Sequence, residues 1–347
     1  MAGADSYPLG SKRKRLALAP AMLIVSACVS TPKSPVSPTW CDPSFRVGVY
    51  LNHQVPTAKA FEMLHEAGVN FVWINLKNYR TMAKFEHLSA LAARYRIDIY
   101  VQLFARLDAD EPDDVARARI RAAVRFINRQ PHKSVVVGYG IADEPELNFP
   151  VDEHPEVAAR AARFIELVKS SDPRRRTLTT RYGTRWHDFR TDEVWCNVFG
   201  ADAEDADLLA GMWRVVRAAG YPSFVALAAG QSPQQLKDEP SPDQPPTTSG
   251  NEERSNLASA DIREHYIYQY ALSAYLAGAE GVVFYIFDGV PEDRTWSLVD
   301  SAGADIAGKW EGLQAAIKDI RDMARHQSGS PRTYSSVPRR ISMPTSK

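Results

Sequence analysis

The feature that most restricts the fold of this chain is a repeated alternation of short apolar runs with longer segments of helical period. The runs predicted as strands, rich in β-branched and aromatic residues, are Arg46–Leu51, Asn70–Leu76, Asp98–Phe104, Ser134–Ala142, Thr177–Thr180, Val194–Phe199, Ser223–Ala228 and Gly281–Phe287. The segments predicted as helices run from a cap at Thr57 to Ala67, and over Lys84–Tyr95, Asp113–Arg129, Pro155–Ser170, Ala206–Ala219, Ile262–Ala277 and Lys309–Ala324.

Eight strands that alternate with helices over residues 44–327 predict an α/β fold, a (β/α)8 barrel with a parallel sheet. The strands are mostly continuous apolar runs, which is typical of a parallel sheet covered on both faces. Few residues separate Thr180 from Val194, so we expect the fifth helix to be missing or a single turn. An open doubly wound sheet is the alternative, although no G-x-G-x-x-G follows a strand and no G-x-x-x-x-G-K-[ST] occurs.

Composition and charge exclude several classes of function. The 347 residues carry 42 Lys and Arg against 42 Asp and Glu, so no net field attracts nucleic acid, and no nucleic-acid partner is expected. Mean hydropathy is −0.33, and the lack of a long apolar run excludes a polytopic membrane protein. The eight histidines show no metal-ligand spacing, so we expect neither a metal nor a cofactor. Cys41 and Cys196 could pair in an oxidising compartment, or remain free thiols.

The first forty residues have the layout of an export signal. A basic cluster, Lys12–Arg15, precedes the apolar stretch Leu16–Ala27. The end of that stretch, Val25-Ser26-Ala27-Cys28, resembles the lipobox of bacterial lipoproteins, which implies lipidation of Cys28. A plain secretory signal or a chance cysteine is the alternative.

The lipobox, the composition of the two termini and the strand pattern together predict a domain order. Residues 1–28 are expected to form the signal peptide, 29–43 a Pro/Ser-rich tether, 44–327 the barrel, and 328–347 a disordered tail. We therefore expect a protein of the cell envelope that is anchored by lipid to a bacterial membrane. The sequence does not fix the oligomeric state.

The fourth strand ends abruptly in acidic residues. The run that begins at Val135 is followed by Asp143-Glu144-Pro145-Glu146. A carboxyl group at the dry edge of a core has a raised pKa when it loses hydration, as a general acid requires, and proline fixes the turn beside it. The alternative is that this segment simply starts a helix, since proline and acidic residues suit a first turn.

This segment resembles the barrel glycoside hydrolases. Many of them carry Asn-Glu-Pro at the end of the fourth strand, where the glutamate donates a proton. The stretch Gly138–Glu146 is especially similar to a bacterial glycosidase-like group with Asp-Glu-Pro, as are Asp261–Glu264 and Gly278–Tyr285. The resemblance implies hydrolysis of glycosidic bonds in a poly- or oligosaccharide, with Glu144 as the general acid.

Such a mechanism needs a second carboxylate, about 5–5.5 Å away in retaining enzymes or about 6.5–9.5 Å away in inverting ones. Retaining barrel enzymes place it at the end of strand seven, but Val225–Gln231 contains no carboxylate. Asp288 and Asp143 are our preferred bases for a single displacement, and Asp202 and Glu239 remain open. Asp288 also fits an ordinary turn before Gly289.

Polar and aromatic residues at strand ends are the candidates for sugar contact, since strand carboxyl ends meet at one mouth in this fold. They are Tyr50, Asn52, Trp73, Asn75, Gln102, Tyr139, Tyr182, Trp186, Asn197 and Tyr285. Aromatic rings suit the C–H faces of sugars, although any single ring also fits a core. Two other hypotheses stay open: a non-catalytic glycan-binding lipoprotein, which the missing carboxylate on strand seven favours, and a structural envelope lipoprotein with no sugar site.

Overall fold

In a computed structural model of the chain, the structure describes residues 45–51, 56–103, 112–141, 155–182, 191–197, 224–229, 265–288, 297–300, 302–306 and 308–328. All of these residues belong to one compact unit, Trp40–Lys347. None of the helices in the described part is both long and apolar enough to span a membrane.

Eight parallel strands close into a barrel in sequence order. They are β1 (Arg46–Leu51), β2 (Phe71–Asn75), β3 (Asp98–Gln102), β4 (Val136–Gly140), β5 (Arg176–Tyr182), β6 (Glu193–Asn197), β7 (Phe224–Ala229) and β8 (Gly281–Tyr285). The barrel closes where β1 pairs with β8, from Arg46 opposite Gly281 to Val49 opposite Phe284. The predicted barrel is confirmed, and the open doubly wound sheet is excluded.

Six helices are described around the barrel: α1 (Ala58–Ala67), α2 (Met82–Tyr95), α3 (Asp113–Asn128), α4 (Pro155–Ser171), α5 (Tyr266–Leu276) and α6 (Lys309–Ser328). Two 3-10 turns, Leu76–Tyr79 and Lys133–Val135, lie in the connections. The helix predicted over Ala206–Ala219 lies outside the described residues. So do residues 183–190, on which the prediction about the fifth helix rests.

The ends of α1 follow from its flanking residues. Thr57 Oγ1 accepts a hydrogen bond from the Ala60 amide at 3.1 Å, which satisfies a free donor of the first turn. Gly68 ends the helix at φ 85°, a left-handed conformation that glycine adopts without strain, and its amide reaches the carbonyls of Leu64 and His65. Both ends match the prediction made from Thr57 and Gly68.

Side chains alternate between the two faces of the barrel wall. Outward residues such as Val49, Val72 and Ile74 pack under the helices in the main core. Phe71, Tyr100 and Trp195 belong to a second cluster inside the barrel, with ring centroids 5.0 Å apart for Tyr100 and Trp195 and 5.3 Å apart for Phe71 and Tyr100. Large rings therefore fill the middle of the barrel, which is a packed core there.

A buried carboxylate organises the amino-terminal end of the barrel. Glu193, 1% exposed, accepts hydrogen bonds from Arg46 at 3.0 Å, Arg176 at 2.5 Å, the Tyr100 hydroxyl at 3.1 Å and the Trp195 indole at 3.3 Å. Burial and the neighbouring Glu193 charge together raise the pKa of Tyr100 well above its usual value. This cluster ties β1, β3, β5 and β6 together at the end opposite the candidate site.

Candidate functional site

The carboxyl ends of the strands meet at one rim of the barrel, which we call the carboxyl rim. In-register backbone pairs there join Asn75 to Gln102 and Gln102 to Gly140. Tyr182 pairs in the same way with Asn197, and Ala229 pairs with Tyr285. Five predicted sugar-contact positions, Asn75, Gln102, Tyr182, Asn197 and Tyr285, therefore lie at strand ends on this rim.

Aromatic rings from β1, β2 and β8 contact one another just below the carboxyl rim. The Tyr50 ring lies 4.8 Å from Trp73 at an interplanar angle of 63°. It also stacks on Tyr285 at 5.0 Å and 25°. We call these three residues the rim aromatic cluster. The structure thus brings together three of the predicted sugar-contact residues.

Trp73 holds the most constrained polar group of this cluster. Its side chain is 3% exposed, and its indole Nε1–H is buried with no acceptor in the part of the chain that the structure describes. A buried donor left without an acceptor costs about 1–3 kcal/mol, so native proteins rarely keep one without a reason. The Trp73 indole is a donor suited to a hydroxyl or carboxylate oxygen brought into the barrel mouth.

Two amide side chains lie beside the rings. Asn75 and Gln102 are 6% and 1% exposed, and Asn75 Oδ1 accepts from the Lys77 amide at 3.1 Å. A Cβ on Gly140 would overlap Oε1 of Gln102, so glycine at this position lets the glutamine lie across the end of β4. The chain leaves the barrel towards Glu144 from this point.

Tyr139 is a correction to the sequence analysis. Its buried ring lies in the outer core, where its hydroxyl donates to Asp172 at 2.9 Å and accepts from Arg175 at 3.0 Å. Gly138 and Gly140 take the neighbouring positions, where an added Cβ would meet the interior side chains Tyr100 and Gln102. Since strand residues alternate between faces, Tyr139 faces the helices and is not brought to the rim aromatic cluster.

Asp288 lies close to the carboxyl rim, three residues after β8 ends at Tyr285. It pairs with Val299 in a parallel bridge and is partly buried. Burial, and secondly the Asp288 charge, raise the pKa of Tyr79, which places the two side chains near each other. Asp288 lines an open pocket together with Thr57, Lys59, Ala60, Met63, Phe287, Val299, Asp300, Ala302 and Gly303. No residue of the rim aromatic cluster lines this pocket.

Several predicted residues lie outside the described part of the chain. These are Cys28, Asn52, Asp143, Glu144, Trp186, Asp202 and Glu239, and only the backbone is described for Tyr182 and Asn197. The roles predicted for them stay predictions. Within the described ranges, no three His, Cys, Asp or Glu side chains come together in a way that could hold a metal ion.

The sequence analysis missed Trp195, which packs directly beneath the rim aromatic cluster. Its ring lies 5.3 Å from Trp73 in an edge-to-face contact and is fully buried. Strand alternation is the signal that would have found it, since Trp195 stands two residues before the candidate Asn197 in the same predicted strand. Trp195 also donates to Glu193, so it connects the cluster to the amino-terminal end of the barrel.

Comparison with solved structures supports the barrel fold. No family model and no curated protein matches the sequence. Among solved structures, the endo-β-1,4-mannanase from Thermotoga petrophila is similar with a TM-score of 0.54, 11% identity, and 81% of this chain and 78% of that chain covered. A β-galactosidase from Marinomonas ef1 gives a TM-score of 0.58 at 8% identity, covering 82% of this chain and 60% of that one.

A third similar structure, the β-glucuronidase from Bacteroides uniformis, has a TM-score of 0.58 and 14% identity. The alignment covers 79% of this chain but only 35% of the glucuronidase, so the chain spans about a third of that enzyme. Identities this low show a shared barrel fold. The structural neighbours are glycoside hydrolases.

Proposed function

We propose that this protein is a glycoside hydrolase-like barrel that cleaves glycosidic bonds in a poly- or oligosaccharide at its carboxyl rim, with Glu144 as the general acid. The observation that carries the proposal is the grouping of Tyr50, Trp73 and Tyr285 with the amides of Asn75 and Gln102 at one rim. The glycoside hydrolases among the fold's neighbours support it, as does the Asp-Glu-Pro segment after β4.

The proposed roles follow from the chemistry of these groups. The rings offer apolar faces for sugar C–H groups, and the Trp73 indole and the two amides offer hydrogen bonds to hydroxyls. Glu144 donates its proton to the glycosidic oxygen as the bond to the anomeric carbon breaks. Water attacks that carbon, and a carboxylate, Asp288 or Asp143, accepts the proton of the water in a single displacement.

The test compares two neighbouring glutamates in the full chain. The protein is screened against polysaccharides and aryl glycosides, and the best substrate is used for variants. Glu144→Gln should lower kcat about 100- to 10,000-fold, the usual contribution of a general acid, and leave sugar binding within a few-fold. Glu146→Gln, two residues away in the same segment, should keep its turnover. Equal turnover in the two variants would reject Glu144 as the acid.

A second candidate function is non-catalytic glycan binding at the same rim. It is favoured by β7, where Phe224–Ala229 and the next two residues contain no carboxylate. Of the described residues, Asp288 is the only acidic one that closely follows the carboxyl end of a strand. Saturable sugar binding with no hydrolysis in wild type, weakened by Trp73→Phe, would establish this function in place of the first.

A further inference from the structure

The amino-terminal end of the barrel carries a group of basic side chains in consecutive connections. Arg94 lies in the last turn of α2, and Arg96 lies in the connection from α2 to β3. The connection from α3 to β4 contains Arg129 and Lys133, and the connection from α4 to β5 contains Arg174. These three connections are adjacent because β3, β4 and β5 are neighbours in the barrel. All five side chains are exposed. A chain with no net charge thus concentrates positive charge at one end.

Three of these residues, Arg129, Lys133 and Arg174, form what we call the basic face. Within the described residues, none of the three makes an ion pair or a side-chain hydrogen bond. Other cations at this end do have partners: Arg175 pairs with Asp172, and Arg176 pairs with Glu193. The basic face therefore keeps its charge available to a partner.

The acidic residues at the same end do not neutralise the basic face. Glu280 lies 3.8 Å from Arg46, on the β8 side of the barrel. Burial raises the pKa of Asp98, against the attraction of the Arg46 charge, which places this carboxyl beside Arg46 as well. Asp192 pairs with Lys169 at 3.1 Å. The cations beside these three carboxylates are Arg46 and Lys169, and neither belongs to the basic face.

A fixed frame holds the basic face together. Arg175 donates to the Lys133 and Val136 carbonyls, both at 2.7 Å, and to Asn128 Oδ1 at 2.7 Å. Asn128 in turn donates to Asp172 at 3.1 Å. One guanidinium thus joins the α3–β4 connection to the α4–β5 connection. The backbone that carries the positive charges is therefore fixed before a partner binds.

The chain that precedes the barrel joins it at this same end. Phe45 stands directly before β1, and β1 begins with Arg46 beside Glu193. Upstream lie the predicted tether 29–43 and Cys28. A tether of this length spans at most roughly 50–55 Å.

We propose that the basic face docks on an anionic phospholipid surface, so that the carboxyl rim points away from the membrane. Lipid phosphates are the complementary charge, and a polybasic patch is the kind of second signal that stabilises a protein held by a lipid chain. The proposal is independent of the glycosidase activity. It adds an orientation: the sugar site faces outward from the surface.

The experiment measures partition of the full chain onto vesicles of phosphatidylglycerol and phosphatidylcholine, with pure phosphatidylcholine for comparison. The variant R129E/K133E/R174E removes the basic face. The matched control K77E/K84E/K318E makes the same charge change at exposed lysines elsewhere and keeps the same amino terminus. We expect the basic-face variant to bind anionic vesicles more weakly than the control by more than about a hundredfold. High salt should erase the difference.

Equal partition of the two variants onto anionic vesicles would overturn the proposal. If the basic-face variant binds vesicles as well as the control does but loses binding to a soluble acidic polysaccharide, the proposal is also overturned, and the partner is a glycan. If the triple reversal fails to fold, judged by its circular dichroism, R129Q/K133Q/R174Q replaces it, with an expected loss of about a hundredfold against K77Q/K84Q/K318Q.

Discussion

Glu193 holds together the amino-terminal end of the barrel through hydrogen bonds to four side chains. Glu193→Gln should lower the free energy of unfolding by about 3–5 kcal/mol, because it leaves Arg46 half-buried without its carboxylate. Urea unfolding of the variant measures the loss. Glu166→Gln, an exposed position on α4, is the control and should change stability by less than about 0.5 kcal/mol. A Glu193 variant as stable as this control contradicts the argument.

Single residues also show where sequence reasoning stops. Glu193 and Arg46 are 147 positions apart, and no local pattern announces an ion pair over that separation. The predicted sixth strand began at Val194, one residue too late to include the carboxylate. The prediction for Tyr139 was wrong for a different reason. Gly138 and Gly140 occupy the interior positions of its strand, so no side chain there marks the alternation that turns Tyr139 towards the helices.

At the scale of elements, the α3–β4 and α4–β5 connections are joined through Asp172 and Arg175. Burial acts to raise the pKa of Asp172, but hydrogen bonds from Asn128, Tyr139 and Arg175 outweigh it and hold the pKa below its usual range. A carboxyl with a lowered pKa stabilises the fold above its unfolded pKa of about 3.9, and that stabilisation is lost as the pH falls through the folded value.

Asp172→Asn should therefore cost about 1–3 kcal/mol at pH 7 and progressively less as the pH falls below about 4. Urea titrations of wild type and variant between pH 7 and pH 3 follow the gap in stability. Asp114→Asn, exposed on α3, is the matched control and should show no such convergence. A gap for Asp172→Asn that stays constant down to pH 3 would disprove the linkage.

Elements were more predictable than contacts. The bounds of β1 were predicted correctly, and Thr57 and Gly68 fixed α1, since caps depend on local chemistry. Other strand ends moved by one or two residues because pairing with neighbours, such as the register shift between Ile99 and Tyr100 opposite β4, decides where a strand stops. The same holds for the candidate site. The predicted strand ends located the residues of the carboxyl rim, whereas the direction of each side chain could be determined only from the pairing register of the strands.

At the scale of the whole molecule, the barrel depends on the pairing of its first and last strands. Four apolar side chains of β1 are buried, Val47, Val49, Tyr50 and Leu51, and burial of each contributes about 1.5–3 kcal/mol. A chain that begins at Asn52 should therefore lose on the order of 6–12 kcal/mol, as much as the whole stability of a typical protein, and fail to fold.

A chain that begins at Trp40 keeps the compact unit and should unfold at the same urea concentration as the full chain. Cooperative unfolding, followed by near-ultraviolet circular dichroism, distinguishes the two truncations. A cooperative transition in the chain that begins at Asn52 would show that the remaining strands reclose without β1.

The closed hydrogen-bond circuit of the eight strands also limits how copies of the protein can associate. Every strand has a neighbour on both sides, so the barrel offers no sheet edge to which a foreign strand could add. Fibre-like growth by strand addition therefore requires prior opening of the barrel. Even at high local concentration, the fold itself keeps the backbones of separate copies from templating one another.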